Sequence, residues 1–237
     1  MPSIVDDRGF NQGFTWNPTQ EVRMRRRAEA ILEALPKGSQ RVLEWGCGTG
    51  ELAHFLATDS TEVTAADLCA PFIEQATRNF GREHLRYVQA DLATDQGRAT
   101  LGREWDAIVG NGILHHLYHH IGPALGSMRS MLRPGGRFVF WEPNLFNPYV
   151  FATFSFGPLR KLTKLEPDEM AFTPGWIEGH LRAAGFGAIE VSYRDFLVPN
   201  LPFALVPLVT RAGAVVERIP GVNRLAQSLF ITATAEG

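Results

Sequence analysis

Only two cysteines, Cys47 and Cys69, occur in the 237 residues, so cysteine alone builds neither a disulfide framework nor a structural zinc site. No apolar run reaches the roughly 18 residues that a membrane span requires. A basic excess is missing too. Against 25 acidic residues stand 23 lysines and arginines, a formal net charge of -2, which gives no global attraction to nucleic acid. The one basic run, "RMRRR" at 23–27, falls in a helix-like stretch and reads as a solvated face. The opening "MPSIVDDRGF" lacks the charged and apolar blocks of a secretory leader. A cytoplasmic protein without repeats or low-complexity tracts is expected, of a length that suits one large domain.

What the chain does have is an alternation of short apolar runs with amphipathic segments, the pattern of a parallel sheet covered by helices. Strands are expected at 41–45, 62–66, 85–89, 105–110 and 137–142, with helices near 50–58, 70–80, 95–102 and 119–132. The last helix should stop at "LRPGG", before the fifth strand. Residues 1–38 are expected to form a helical cap to this single domain. After 142 the rhythm breaks, and 143–172, rich in proline and aromatics, reads as an insertion. A helix follows in "TPGWIEGHLRAAG", with Thr173 as its N-cap, Pro174 in its first turn and Gly185 as its stop. Strands at 188–195 and 228–234 close the chain. Between them, 196–227 is too long for a hairpin loop of ~2–5 residues and strongly apolar. A lid over the substrate pocket or a homodimer contact is favoured there over a membrane-surface helix, whose polar face would carry more positive charge.

Chemistry begins at "VLEWGCGTGEL", 42–52, where a strand carrying Glu44 enters a loop with Gly46, Gly48 and Gly50. Glycine permits positive φ and lets backbone N–H groups approach a ligand. Where a dinucleotide loop has its third glycine, this chain has Glu51, an anion at the helix start where a pyrophosphate would sit. The loop therefore suits a ligand without phosphates, or is a bare turn. Asp67 ends the second strand, where a carboxylate can accept from two ribose hydroxyls, and Asp91 lies just beyond the third. In a parallel sheet these strand ends line one crevice, so Glu44, Asp67 and Asp91 converge.

Taken in order, "VLEWGCGTGEL", "VTAADL", "VQADL", "WDAIVGNGILHHL" and "LRPGGRFVF" resemble the successive motifs of class I S-adenosylmethionine-dependent methyltransferases over residues 41–142. The resemblance implies a Rossmann-like, mostly parallel seven-stranded sheet with helices on both faces and an antiparallel last strand. It implies S-adenosylmethionine as cofactor, with S-adenosylhomocysteine as product. Glu44 and the loop with Gly46, Cys47 and Gly48 would back the methionine moiety. Asp67 with Leu68 would hold the ribose, Asp91 with Leu92 would meet the adenine, and Asn111 would lie beside the methionine end. The N-terminal stretch can fold over the cofactor, bringing Trp16 or Arg25 to it.

The segment "NGILHHLYHH" carries four histidines. No cysteine, and no carboxylate in the ten residues after them, completes a ligand set, so no metal is expected. In the family this segment borders the sulfonium, which makes His115 or His116 a candidate to take a proton from a hydroxyl or ammonium nucleophile. Glu142, at the end of the fifth strand, is placed to orient a histidine or touch the substrate. Methyl transfer asks mostly for in-line positioning, so a base is needed only for an acceptor that must lose a proton. Phe14, Asn144, Tyr149 and Trp176, in the segments outside the core pattern, are candidate acceptor contacts, because small-molecule pockets are lined by apolar groups with a few polar ones.

The expected activity is methylation of oxygen or nitrogen in a small, partly hydrophobic metabolite. Alternatives are a membrane-surface enzyme acting on a lipid-linked acceptor and a carbon-methylating enzyme. A nicotinamide-dependent oxidoreductase is disfavoured by the missing third glycine, and a non-catalytic binding protein by the intact acidic set.

Overall fold

A computed structural model describes residues 16–198 and 201–236. Seven strands form one sheet: β1 (Arg41–Trp45), β2 (Glu62–Asp67), β3 (Leu85–Gln89), β4 (Trp105–Asn111), β5 (Leu132–Pro143), β6 (Phe186–Arg194) and β7 (Ser228–Ala235). Their spatial order is β3-β2-β1-β4-β5-β7-β6. Strands β3 to β5 pair in parallel, and β7 runs antiparallel to both β5 and β6. The strand order reverses at β1, which pairs with β2 on one side and β4 on the other. In such sheets the crevice beyond the strand ends at the reversal is where ligands bind.

The central strands are buried on both faces, as parallel strands covered by helices must be. Successive residues of β5 alternate: Phe138 and Phe140 enter one core with Leu43 and Ile108, while Val139 and Trp141 enter the other with Val42 and Val109. The first core is closed by α5 (Ile121–Met131) and α8 (Pro174–Ala183), the second by α1 (Pro18–Ala34) and α2 (Glu51–Leu56). Two further helices, α3 (Ala70–Phe80) and α4 (Asp95–Leu101), complete the βα units.

Several expectations are refined. Strand β5 starts at Leu132 rather than 137, since Leu132 pairs with Trp105 before a register shift sets Arg137 against Ala107. Thr173 takes the extended N-cap conformation of α8, but its side chain makes no capping bond. The helix expected at 119–132 is preceded by a 3₁₀ turn over Leu114–His120.

The basic run is the clearest correction. Arg23 and Arg27 are buried, because α1 presents them on the same face as Met24, Ala28 and Ile31. Their counter-charge is Asp195, just past β6: its Oδ2 accepts from Arg23 Nε at 3.2 Å and from Arg27 Nε and Nη2 at 3.0 and 2.7 Å. Burial, then the neighbouring Arg27 charge, pulls the Arg23 guanidinium down to about 9, against the opposing pull of Asp195.

The 143–172 segment folds as α6 (Pro148–Ser155) and α7 (Gly157–Thr163), followed by a loop returning to α8. The other long segment carries α9 (Val206–Val216), which packs Gly213 against Phe196 and leaves Leu208 and Val215 exposed. No helix among the described residues is long and apolar enough to cross a membrane.

Candidate active site

One cavity of about 940 Å³ opens beyond the ends of β1 to β5. That is near the upper end of the roughly 300–1,000 Å³ of small-molecule sites. Glu44, Gly46, Cys47, Gly48, Asp67, Leu68, Asp91, Leu92 and Asn111 all line it, so these nine of the expected cofactor residues are brought together.

Backbone dictates the glycine loop. Gly46 has φ +73°, and a Cβ there would lie 2.5 Å from the Ile113 side chain. Gly48 has φ +51°, but its Cβ would meet no protein atom within 4 Å. Packing thus requires the first glycine, while the second keeps the cavity wall bare. Asp67 holds the loop shut: its Oδ2 accepts from the Gly48 N–H at 2.8 Å, and its Oδ1 from the Cys69 N–H at 2.9 Å.

The electrostatics of this end favour a cation. Glu44 is 1% exposed, and its Oε2 has no hydrogen-bond partner among the described residues. Burial, then the nearby Glu51 and Asp67 charges, raises the Glu44 carboxyl well above the usual range. An orphaned buried carboxyl oxygen costs free energy until a donor arrives. The ammonium of a methionine moiety is such a donor, and Asp67 is placed for ribose hydroxyls. The residues present therefore fit S-adenosylmethionine. Burial also raises the Cys47 thiol, with Glu44 and Asp67 adding to it, so this cysteine is a neutral wall rather than a nucleophile.

At the other end stands His115. Glu142 is 1% exposed and receives four hydrogen bonds. Its Oε1 accepts from the Ile113 and Leu114 N–H groups at 2.9 and 2.7 Å, and its Oε2 from the His115 N–H at 3.3 Å and the His115 ring Nδ1 at 2.8 Å. The other ring nitrogen, Nε2, lies 2.9 Å from Glu169 Oε1. Burial alone would lower the His115 pKa, but hydrogen bonds and charge from Glu142 and Glu169 outweigh it and hold the ring at about 9. At neutral pH His115 is therefore an imidazolium. The reciprocal effect appears at Glu169, where His115 and His116 overcome burial and lower the carboxyl.

Glu169 comes from the loop after α7, which is pinned to His115 a second time by the bond from the Met170 N–H to the His115 carbonyl, 3.0 Å. Arg160 on α7 shapes that loop by donating to the carbonyls of Glu166 and Pro167. Tyr149, Val150, Thr153 and Phe154 of α6 continue the same wall.

The remaining expected site residues lie elsewhere. Trp16 packs on Phe55 and Phe80, and Arg25 sits over Phe55 and pairs with Glu21; neither lines the cavity. Asn144 is fully buried, its amide spent on the carbonyls of Arg224 and Ala226. Trp176 stacks on Tyr118 and Phe172 in the first core. Phe14 lies outside the described residues. Residues 201–226 contribute nothing to the cavity wall.

Sequence reasoning missed Arg23, Arg27, Glu166 and Glu169, all of which line the cavity. For the arginines a signal existed, since 23 and 27 share helical spacing with Met24, Ala28 and Ile31. Nothing local marks the two glutamates.

Residues 43–138 match a family described as "Methyltransferase domain". A protein of Mycobacterium tuberculosis, named as an uncharacterised methyltransferase, is 36% identical over 123 residues, half of this chain. The match spans 60% of that relative's length. An S-adenosyl-L-methionine-dependent Diels-Alderase of Talaromyces variabilis is 30% identical over 208 residues, covering 82% of this chain and 69% of the relative. Among solved structures, a SAM-dependent methyltransferase from Archaeoglobus fulgidus superposes with a TM-score of 0.64 at 16% identity, over 90% of this chain and 94% of the other.

Proposed function

The chain belongs to the class I S-adenosylmethionine-dependent methyltransferase family, and from that premise we propose that it methylates an oxygen or nitrogen of a small, partly apolar metabolite. The observation that carries the reading is one cavity in which the unpartnered Glu44 Oε2 and Asp67 face one end and the buried His115 the other.

When bound, S-adenosylmethionine supplies a sulfonium-activated methyl group. The residues divide the remaining work. Glu44 takes up the ammonium, Asp67 the ribose hydroxyls, and Asp91 with Leu92 the adenine. Arg27 donates to Asn111 Oδ1 and so fixes the side chain that faces the methionine end. Tyr149, Val150 and Phe154 offer an apolar wall to the acceptor body and exclude water. Glu142 positions His115 through the Nδ1 bond and the backbone of the 3₁₀ turn. With Glu142 on Nδ1 and Glu169 on Nε2, both ring nitrogens of His115 are engaged, so it shapes the acceptor end rather than acting as a free base.

The experiment is incubation of purified protein with methyl-labelled S-adenosylmethionine and a panel of phenolic, enolic, carboxylic and amine metabolites. Label in one product class, with matching S-adenosylhomocysteine release, is expected; label in none, although S-adenosylhomocysteine binds, would overturn the acceptor class. The name of the Talaromyces relative supports a second reading, rearrangement of a substrate with S-adenosylmethionine unconsumed. Substrate turnover without S-adenosylhomocysteine release would select it.

A further inference from the structure

At the acceptor end the insert delivers to the paired histidines the carboxylates that their own segment lacks. We propose that His115, His116 and Glu169, with Glu166 beside them, form a binding site for a divalent transition-metal ion of the kind represented by zinc and iron(II).

Geometry carries the assignment. One ligand atom from each of His115, His116 and Glu169 lies within 4.8 Å of the others. His115 Nε2 is 2.9 Å from Glu169 Oε1, and His116 Nδ1 is 3.9 Å from both Glu169 Oε2 and Glu166 Oε1. Two donors on one tetrahedral ion with bonds of ~2.0–2.1 Å sit about 3.3 Å apart, so these separations bracket the required one. The imidazoles are neighbours, their planes tilted by 37° and ring centres 4.3 Å apart. Two imidazole nitrogens with carboxylate oxygens are the donor set of zinc and non-haem iron(II) sites.

The surroundings are those of a ligand set as well. Metal-bound histidines donate their second ring nitrogen to a carboxylate, which orients the ligating nitrogen. Glu142 does this for His115, and is itself fixed by three backbone N–H groups. Charge points the same way. Glu142, Glu166 and Glu169 are each at most 9% exposed, and even two protonated imidazoles would leave these buried acids in excess. A dication on neutral imidazoles offsets two of these three carboxylate charges with one ion. It would take the place of the Nε2 hydrogen between His115 and Glu169.

The cluster lines the same cavity as Asp67 and Asn111. Resting on the methyl-transfer reading, the bound ion would hold the acceptor oxygen as its anion.

The test uses the full chain, tag removed and stripped with a chelator, titrated with cobalt(II) by visible absorption and with zinc(II) by calorimetry. S-adenosylhomocysteine binding is measured on the same preparations. One equivalent is expected to bind, with the ligand-field bands of cobalt in a nitrogen–oxygen site of low coordination number. His116→Ala and Glu169→Gln should each weaken zinc binding by more than about tenfold, and Glu142→Gln by ~10–100-fold. The control His119→Ala should leave it unchanged. Should His116→Ala fail to fold, Glu169→Gln and Glu166→Gln carry the comparison. Absence of stoichiometric binding, or affinity unmoved by the substitutions that fold, overturns the site. A wild-type chain that binds S-adenosylhomocysteine but no metal would contradict only this inference; one that binds metal but no S-adenosylhomocysteine would contradict only the methyltransferase reading.

Discussion

Replacing Asp195 by asparagine removes the charge that holds α1 to the end of β6 while disturbing little else. The backbone there has φ +72°, a conformation asparagine tolerates better than other residues, so Asp195→Asn isolates the electrostatics. In the wild type one carboxylate accepts from both guanidinium groups and, through Oδ1, from the Leu197 N–H at 3.0 Å. Asparagine retains a single acceptor oxygen and turns two N–H donors toward donors. Arg23 and Arg27, 6% and 5% exposed, would keep only neutral partners at Gln227, Ser228 and Asn111.

Removing one partner of a buried ion pair costs about 3–5 kcal/mol. In a domain of this size each kcal/mol shifts Tm by about 2–4 °C, so calorimetry at pH 7 should show a drop of roughly 6–20 °C. Acid supplies an internal check. Burial would raise the Asp195 carboxyl, but Arg27 and Arg23 outweigh it and hold the group below its usual value. Its stabilisation is thus present above the unfolded pKa of about 3.9 and lost as pH falls through the lower folded value. The Tm gap between variant and wild type should narrow below about pH 4. A Tm within 2 °C of wild type at pH 7 would refute the reasoning (a threshold on the order of a surface substitution).

Other outcomes follow from the cavity. The raised Glu44 carboxyl costs stability increasingly as pH climbs above its unfolded value, so Glu44→Gln should raise the Tm of the free protein at pH 8 while weakening S-adenosylhomocysteine; a lowered Tm with intact binding contradicts this. Because the ligand's ammonium favours the ionised form of the raised Glu44 carboxyl, binding should be accompanied by proton release, read from calorimetry in buffers of different ionisation enthalpy and diminished in Glu44→Gln. Gly48→Ala should cost only ~1–2 kcal/mol of stability from its positive φ, yet weaken S-adenosylhomocysteine more than tenfold by filling the wall; equal affinity would show that the ligand lies elsewhere. Leu208→Glu with Val215→Glu should change stability by less than about 1 kcal/mol and leave ligand binding intact, and vesicle flotation abolished by the pair would instead indicate a membrane surface on α9.

The parallel half of the fold was legible because its signals are local and repeat. Each strand shows as an apolar run, each turn as glycine or an acid, and the crevice residues fall at corresponding points of successive units. That regularity carried Glu44, Asp67, Asp91 and Asn111 to one cavity wall. The partners that decide the charge of the site come from far away along the chain and follow no period. Arg27 looks solvated until Asp195 is known to face it, and His115 looks like a free base until Glu169 is seen at its second nitrogen. Asn144 and Trp176 are engaged away from the cavity, and the sequence does not show it for a related reason. Polar and aromatic residues next to an insertion look like ligand contacts, but Asn144 is consumed by carbonyl groups of the 196–227 segment and Trp176 by stacking in the core.

The central claim is that this crevice holds the adenosyl-methionine skeleton with Asp67 on its ribose. Titration calorimetry of S-adenosylhomocysteine into wild type and Asp67→Ala tests it most directly. Each hydrogen bond to the carboxylate is worth about 1.5–3 kcal/mol, so loss of two should weaken binding by at least ~100-fold. Saturable wild-type binding with that loss in the variant is the expected result; equal affinity in the two proteins, or none in the wild type, would contradict the account.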